Sequence, residues 1–284
     1  MKHIKERKKF KIPIIPITVT FMFLLGAGVF LYPTVSNYFA EKNSSVISDE
    51  YTKTATLFDD ETASREKQKA IEYNEALTGD PVLDPFAKES DVALSSKYTD
   101  VLNINGAMCI LEIPKIHVKL PVYHGTSKSV LDKAVGHVRQ TAVPIGGAGN
   151  HPVLTGHTGL SHAKLFTDLI KLETGDLFTI HVLKDVLIYQ VDEILIILPT
   201  EITKLEPIDG VDCITLVTCY PYGVNSHRLL VRGVRFEPDQ GEIEDIMDSQ
   251  RALWDKLEEY KAIYIVILFV FGLMIAWILY IMFT

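Results

Sequence analysis

Cys219 closes the apolar run Ile214-Thr215-Leu216-Val217-Thr218 and is followed by Tyr220-Pro221-Tyr222-Gly223. A thiol at the end of a strand, facing a Pro/Gly turn, is held rigidly yet can be reached, as a nucleophile must be. The residue alone leaves a structural role equally open. The other two thiols, Cys109 and Cys213, sit inside apolar runs and read as small buried hydrophobes. A thiol needs a base or a cation nearby to act as a thiolate at neutral pH. Of nine histidines, His157 lies in Leu154-Thr155-Gly156-His157-Thr158-Gly159, where flanking glycines permit close backbone approach and an exposed imidazole. A lone histidine in such a loop is also compatible with a structural role. His117, His137 and His181 read as solvent-facing strand or loop positions, and His3 belongs to the basic N-terminal tail. Arg228 follows Cys219 by nine residues and precedes the apolar run 229–236. If the runs 212–219 and 229–236 pair as neighbours, the guanidinium comes beside the thiol, where it can donate hydrogen bonds to an oxyanion.

These side chains need a scaffold, and the pattern predicts one that is mainly β. From residue 106 onward the period is two: Ile116, Val118, Leu120 and Val122 alternate with His117, Lys119, Pro121 and Tyr123. Further strand-like runs cover 107–113, 152–156, 177–184, 186–197, 212–219 and 229–236, with Gly, Pro, Asp and Asn between them. Short helical pieces are expected at 129–135 and around 163–170. Many short strands with few helices predict a closed or nearly closed antiparallel β-barrel over 106–236. Before it, the segment 33–105 reads as a linker. Within it, 62–77 places Ala70, Ile71, Tyr73, Ala76 and Leu77 on one helix face, Gly79-Asp80-Pro81 stops that helix, and 80–105 is irregular.

The two ends are apolar. Residues 12–32 and 262–284 carry no charge, each long enough for a helix crossing a hydrocarbon core of about 30 Å. The 1–11 tail holds six Lys or Arg against one Glu, which by the positive-inside rule keeps it cytoplasmic. A cleaved signal peptide and a processed C-terminal tail are the alternatives. The long apolar core of the first stretch and the lack of a small-residue cleavage site favour retained anchors. Two spans, one at each end, place both termini in the cytoplasm and 33–261 outside, with 237–261 as a juxtamembrane segment. The net charge of −8 resolves into +5 over residues 1–40 and −13 over the rest, so nothing in the charge balance favours nucleic acid as a partner. Three cysteines exclude a disulfide-built scaffold and are arranged wrongly for a zinc cage. The glycine-rich 145–150 lacks the Lys-Ser/Thr of a phosphate loop and reads as a connection between strands. Tyr123-His124-Gly125-Thr126 lacks the Ser-His-Gly-Cys block of L,D-transpeptidases.

Taken together, TLVTC at 215–219, YGVNSHRLLVRG at 222–233 and TGHTG at 155–159 resemble the signature of the sortases, cysteine transpeptidases of Gram-positive surfaces. The second apolar span, the long linker and Asp84-Pro85-Phe86 resemble the class C, pilus-assembly branch. The resemblance implies an eight-stranded sortase barrel and catalytic roles for Cys219, His157 and Arg228. It implies no metal and no cofactor, and pilin subunits with Leu-Pro-x-Thr-Gly-like sorting signals as protein partners. It also implies a lid in which Asp84 pairs with Arg228 and Phe86 covers the Cys219 sulfur. Held by an exposed ion pair worth about 0–1 kcal/mol, such a lid is expected to be weakly attached. A sortase that anchors proteins to the cell wall, or a membrane-tethered binding barrel without activity, are the alternative readings.

Overall fold

The computed structural model describes residues 14–77, 79–87, 94–238, 245 and 272. Eight strands, β1 (Ala107–Ile113), β2 (Val118–His124), β3 (Val135–His137), β4 (Val153–Thr155), β5 (Leu177–Val182), β6 (Asp185–Ile197), β7 (Cys213–Tyr220) and β8 (His227–Arg235), close into a barrel. Their order around it is β1-β2-β3-β4-β7-β8-β6-β5, with β5 returning to β1. The expected barrel is therefore present, but it is not wholly antiparallel: β2–β3 and β4–β7 pair in parallel. The short β3, absent from the sequence reading, is what allows this. It is only three residues long, too short for a period-two pattern to register.

The alternation seen in the sequence is realised in β2, where Val118, Leu120 and Val122 are buried and Lys119 and Tyr123 half-buried. β7 instead is buried at every position from Cys213 through Cys219, and Leu111, Phe178, Ile180, Tyr189, Ile214 and Leu216 belong to the core. Cys109 and Cys213 are both fully buried, as expected, and desolvation raises both thiol pKa values, that of Cys213 to about 11. A side chain at Gly233 could not be accommodated, because its Cβ would stand 2.5 Å from the Phe178 ring.

Two helices lead into the barrel. α1 (Ile14–Thr56) runs without interruption past Pro33. Its Tyr51 is fully buried; the hydroxyl donates to the Met108 carbonyl (3.1 Å) and accepts from the Leu183 amide (3.0 Å), fastening the helix to β1 and the β5–β6 turn. α2 (Asp60–Glu75) begins where the Asp59 carboxylate accepts the Thr62 amide proton at 2.8 Å, with Asp60 and Glu61 in the first turn. It ends ahead of Gly79, which has φ +71°. Tyr73 and Asn74 of α2 bind the chain after β3: Tyr73 Oη donates to the Arg139 carbonyl (3.0 Å), and Asn74 exchanges bonds of 3.3 and 2.8 Å with the carbonyl and amide of Val143.

Elsewhere the structure departs from the sequence reading. The irregular 80–105 contains a helical turn, α3 (Ser96–Thr99), capped by Ser95. The helix expected near 129–135 is α4 (Lys128–Leu131), and 163–170 forms turns followed by a 3-10 turn at Leu169–Lys171. His137 is wholly buried rather than solvent-facing: its Nδ1 meets the Tyr98 hydroxyl at 2.8 Å and its Nε2 meets the Ala142 carbonyl at 2.7 Å. His181 is half-buried, 3.3 Å from a Glu112 carboxylate oxygen, and His117 is half-buried in a left-handed conformation with φ +55°. Among the described residues no helix is long and apolar enough to cross a membrane, so the two spans find no support there. The expected first span falls largely on the start of α1. The tail 1–11 and the second span, 262–284, lie outside the described residues apart from Gly272.

Candidate active site

β4 and β7 set the site. Their parallel register pairs Val153 with Thr215 and Thr155 with Val217, so the next step along both strands brings His157 beside Cys219. Side chains make this alignment rigid. Thr218 Oγ1 donates to the Gly156 carbonyl (2.7 Å), Thr155 Oγ1 donates to the Val217 carbonyl (3.2 Å), and the Gly156 amide donates to the same carbonyl (3.2 Å). The residue before the thiol is thus tied to the residue before the imidazole. Gly156 and Gly159 allow close packing here. A Cβ on Gly156 would stand 3.0 Å from the Phe166 ring, and Gly159 has φ +78° with Tyr222 of the β7–β8 turn against it.

Arg228 lies directly across the antiparallel β7–β8 ladder from Cys219, as the sequence reading required. Its Nη1 donates to the carbonyls of Asn225 (3.1 Å) and His227 (2.9 Å), which aims the guanidinium toward the strand end. Its Nε and Nη2 form a two-pronged bond with the Asp84 carboxylate at 2.8 and 2.7 Å. The segment bearing Asp84 closes a turn, the Ala87 amide donating to the Asp84 carbonyl at 3.0 Å. Within that turn Pro85 is buried. The Phe86 ring stands 5.3 Å from the His157 ring and 5.1 Å from the Arg228 guanidinium carbon. It packs with an apolar cluster of Val82, Val138, Val153, Ile197, Leu205, Val217 and Leu230.

The ring lies against His157 and Arg228, the two groups that flank the thiol. One expectation about this segment changes. The Asp84–Arg228 pair is not exposed: the side chains retain 14% and 11% of their accessible area, so a surface pair is the wrong comparison. Cys219 itself is only 8% exposed.

Burial sets the protonation of the pair. Desolvation raises the Cys219 thiol pKa; the Arg228 charge opposes this and the Asp84 charge reinforces it. Desolvation lowers the His157 pKa, the Asp132 carboxylate partly offsetting it. With Asp84 paired to Arg228 and Phe86 against His157, both groups are held toward their neutral forms. Sequence reasoning placed Cys219, His157, Arg228, Asp84, Pro85 and Phe86, all of which the fold brings together. It missed Thr155 and Thr218 as the clamp between two strands, because a hydroxyl's partner 62 residues away leaves no local pattern.

A thiol, an imidazole and a guanidinium stand on adjoining strand ends of a closed barrel, the groups with which acyl transfer through a cysteine nucleophile can be carried out. The sortase domain family model matches residues 111–236. Sortase C-1 of Streptococcus pneumoniae is 41% identical, the match covering 67% of this chain and 98% of that one with a TM-score of 0.65. Sortase C-1 of Actinomyces oris is 43% identical over 63% and 99% of the two chains, with a TM-score of 0.60. A pilus-related sortase C of Group B Streptococcus is 36% identical over 68% and 98%, with a TM-score of 0.64. The chain belongs to the sortase family of cysteine transpeptidases. Sortase D of Bacillus subtilis is 31% identical over 138 residues, 44% of this chain; that match takes in 62% of the relative's own length.

Proposed function

We propose that this protein is a class C-type sortase that polymerises pilin subunits, with Cys219, His157 and Arg228 as its catalytic residues. The observation that carries the reading is the bidentate Asp84–Arg228 bond, with Phe86 of the same segment against His157, a contact set that supports reading this segment as a lid. Likeness to the sortase C structures supports the same conclusion.

The geometry suits two linked acyl transfers. In the first, the Cys219 thiol gives its proton to His157 and its sulfur attacks the Thr carbonyl of a Leu-Pro-x-Thr-Gly-like signal. The tetrahedral oxyanion is stabilised by Arg228, whose Nε and Nη2 are released when Asp84 leaves. His157 passes the proton to the departing Gly amine, and a thioester remains on Cys219. In the second, the lysine ammonium of another pilin gives up one proton before attack and another as the amide forms. One of these restores the Cys219 thiol, the other goes to solvent, and His157 carries each in turn.

Membrane attachment belongs to the same reading. Phe21, Met22, Leu25, Val29 and Phe30 near the start of α1 are all more than half exposed, an apolar surface that needs a non-aqueous partner. The proposed arrangement keeps both termini in the cytoplasm and the barrel outside. The test is acyl trapping. A lid-opened full chain, Asp84→Ala/Phe86→Ala, incubated with a sorting-signal peptide is expected to gain the mass of the acyl fragment at Cys219, and Cys219→Ala to gain nothing. No adduct on the lid-opened chain, together with intact pilus polymer in cells carrying Cys219→Ala, overturns the reading.

A further inference from the structure

The charges around the site are almost all matched. Arg228 is paired with Asp84, Lys164 and Lys171 with Asp168, and the Lys133 ammonium sits 5.4 Å from the Tyr123 ring centroid. Asp132 is the exception. It caps the C-terminal end of α4, and its backbone carbonyl accepts a bond from His162 Nε2 at 2.9 Å, which ties it to the loop that follows His157. The antiparallel register of β3 and β4, Gly136 opposite Thr155, sets the residues just before β3 alongside those just after β4. Asp132 therefore flanks His157 on the side away from Arg228. Among the described residues its carboxylate enters no ion pair or side-chain hydrogen bond that would neutralise it, and it is half-exposed. Its charge already acts on the imidazole.

We infer that Asp132 is an acceptor-binding residue that draws the lysine ammonium of the incoming subunit to the His157 side of the thioester. This rests on the transpeptidase reading above and deepens it. Once the lid leaves, the site becomes bipolar. The freed Arg228 faces the developing oxyanion on the β7–β8 side, and Asp132 presents a negative charge that no ion pair among the described residues compensates on the β3–β4 side. A lysine amine is overwhelmingly protonated at neutral pH, so it arrives as a cation and must surrender its proton next to the base. A carboxylate beside His157 concentrates the cation where that proton has to go. The covalent balance of the transfer is unchanged, since Asp132 takes no proton and forms no bond to the acyl group.

The test compares two nucleophiles on one enzyme. The lid-opened full chain, with and without Asp132→Asn, is acylated by a sorting-signal peptide and offered either a lysine-bearing peptide or hydroxylamine, which is uncharged at neutral pH. Asp132→Asn is expected to raise the KM for the lysine peptide by about fivefold, the scale of one exposed charge pair, and Asp132→Lys by more. The KM for hydroxylamine stays within twofold in both. The thioester mass on each variant checks that it is folded. Equal KM values for the lysine peptide in parent and Asp132→Asn overturn the inference, as does a parallel change for both nucleophiles. If the parent forms no thioester at all, the transpeptidase reading falls and takes the inference with it.

Discussion

Arg228 has its nitrogens divided between two tasks, and that division accounts for the autoinhibited state proposed above. Nη1 holds the β7–β8 turn through Asn225 and His227, while Nε and Nη2 are occupied by Asp84 and so withheld from any oxyanion. The same contact influences the thiol. Burial and the Asp84 carboxylate both raise the Cys219 pKa, and only Arg228 lowers it. Removing Asp84 and Phe86 takes away the negative charge and admits water, so the pKa falls and the thiolate fraction at neutral pH rises. In Asp84→Ala/Phe86→Ala, thiol alkylation at pH 7 is expected to be several-fold faster, with its pH midpoint moved downward, since the thiolate is the reacting form. A rate and midpoint matching the wild type would falsify the lid mechanism.

Among the elements, α2 is docked on the barrel by polar bonds as well as by apolar contact from Ala70, Ile71 and Tyr73. Ala70 is its one fully buried residue, while Tyr73 and Asn74 supply bonds to the chain after β3. That chain carries Val138, part of the cluster beneath Phe86, so α2 braces one wall of the lid's seat. Asn74→Ala leaves the Val143 amide and carbonyl without these partners, a cost of about 1–3 kcal/mol. Hydrogen exchange should show α2 and 138–143 opening more readily while β6 and β8 keep their protection. Unaltered exchange in α2 would show that apolar packing alone docks the helix.

Over the whole molecule, four buried or half-buried histidines make stability depend on pH in a defined window. Burial lowers the pKa values of His124, His137, His151 and His157, that of His137 to about 3. In the unfolded chain each titrates near its ordinary 6.5, so below that pH the unfolded state binds more protons and stability falls, continuously down to about 3 for His137. Asp59 and Asp168, whose pKa values are lowered from 3.8, add their loss only below about 4. The thermal midpoint is therefore expected to begin falling near pH 6.5, well before carboxylates titrate. A midpoint flat from pH 7 to 4.5 would mean the histidines are solvated in the native state.

Much of this was legible in the sequence, for local reasons. Apolar runs, alternating in 116–123, marked most strands because each barrel strand buries at least one face. Cys219 and Arg228 could be placed together because a hairpin of nine residues leaves few alternatives. His157, Asp84 and Phe86 entered through the ordered motifs, since no local pattern relates residues 62 to 144 positions apart. What only the tertiary structure decided were relations across such distances. The parallel β4–β7 register sets His157 beside the thiol, Thr218 reaches Gly156, and Tyr98 captures His137 in the interior. The attachment of the lid belongs to the same group. Charge and spacing suggest an Asp–Arg pair, but its strength depends on how far both side chains leave water, and burial is a property of the assembled barrel rather than of any segment of the chain.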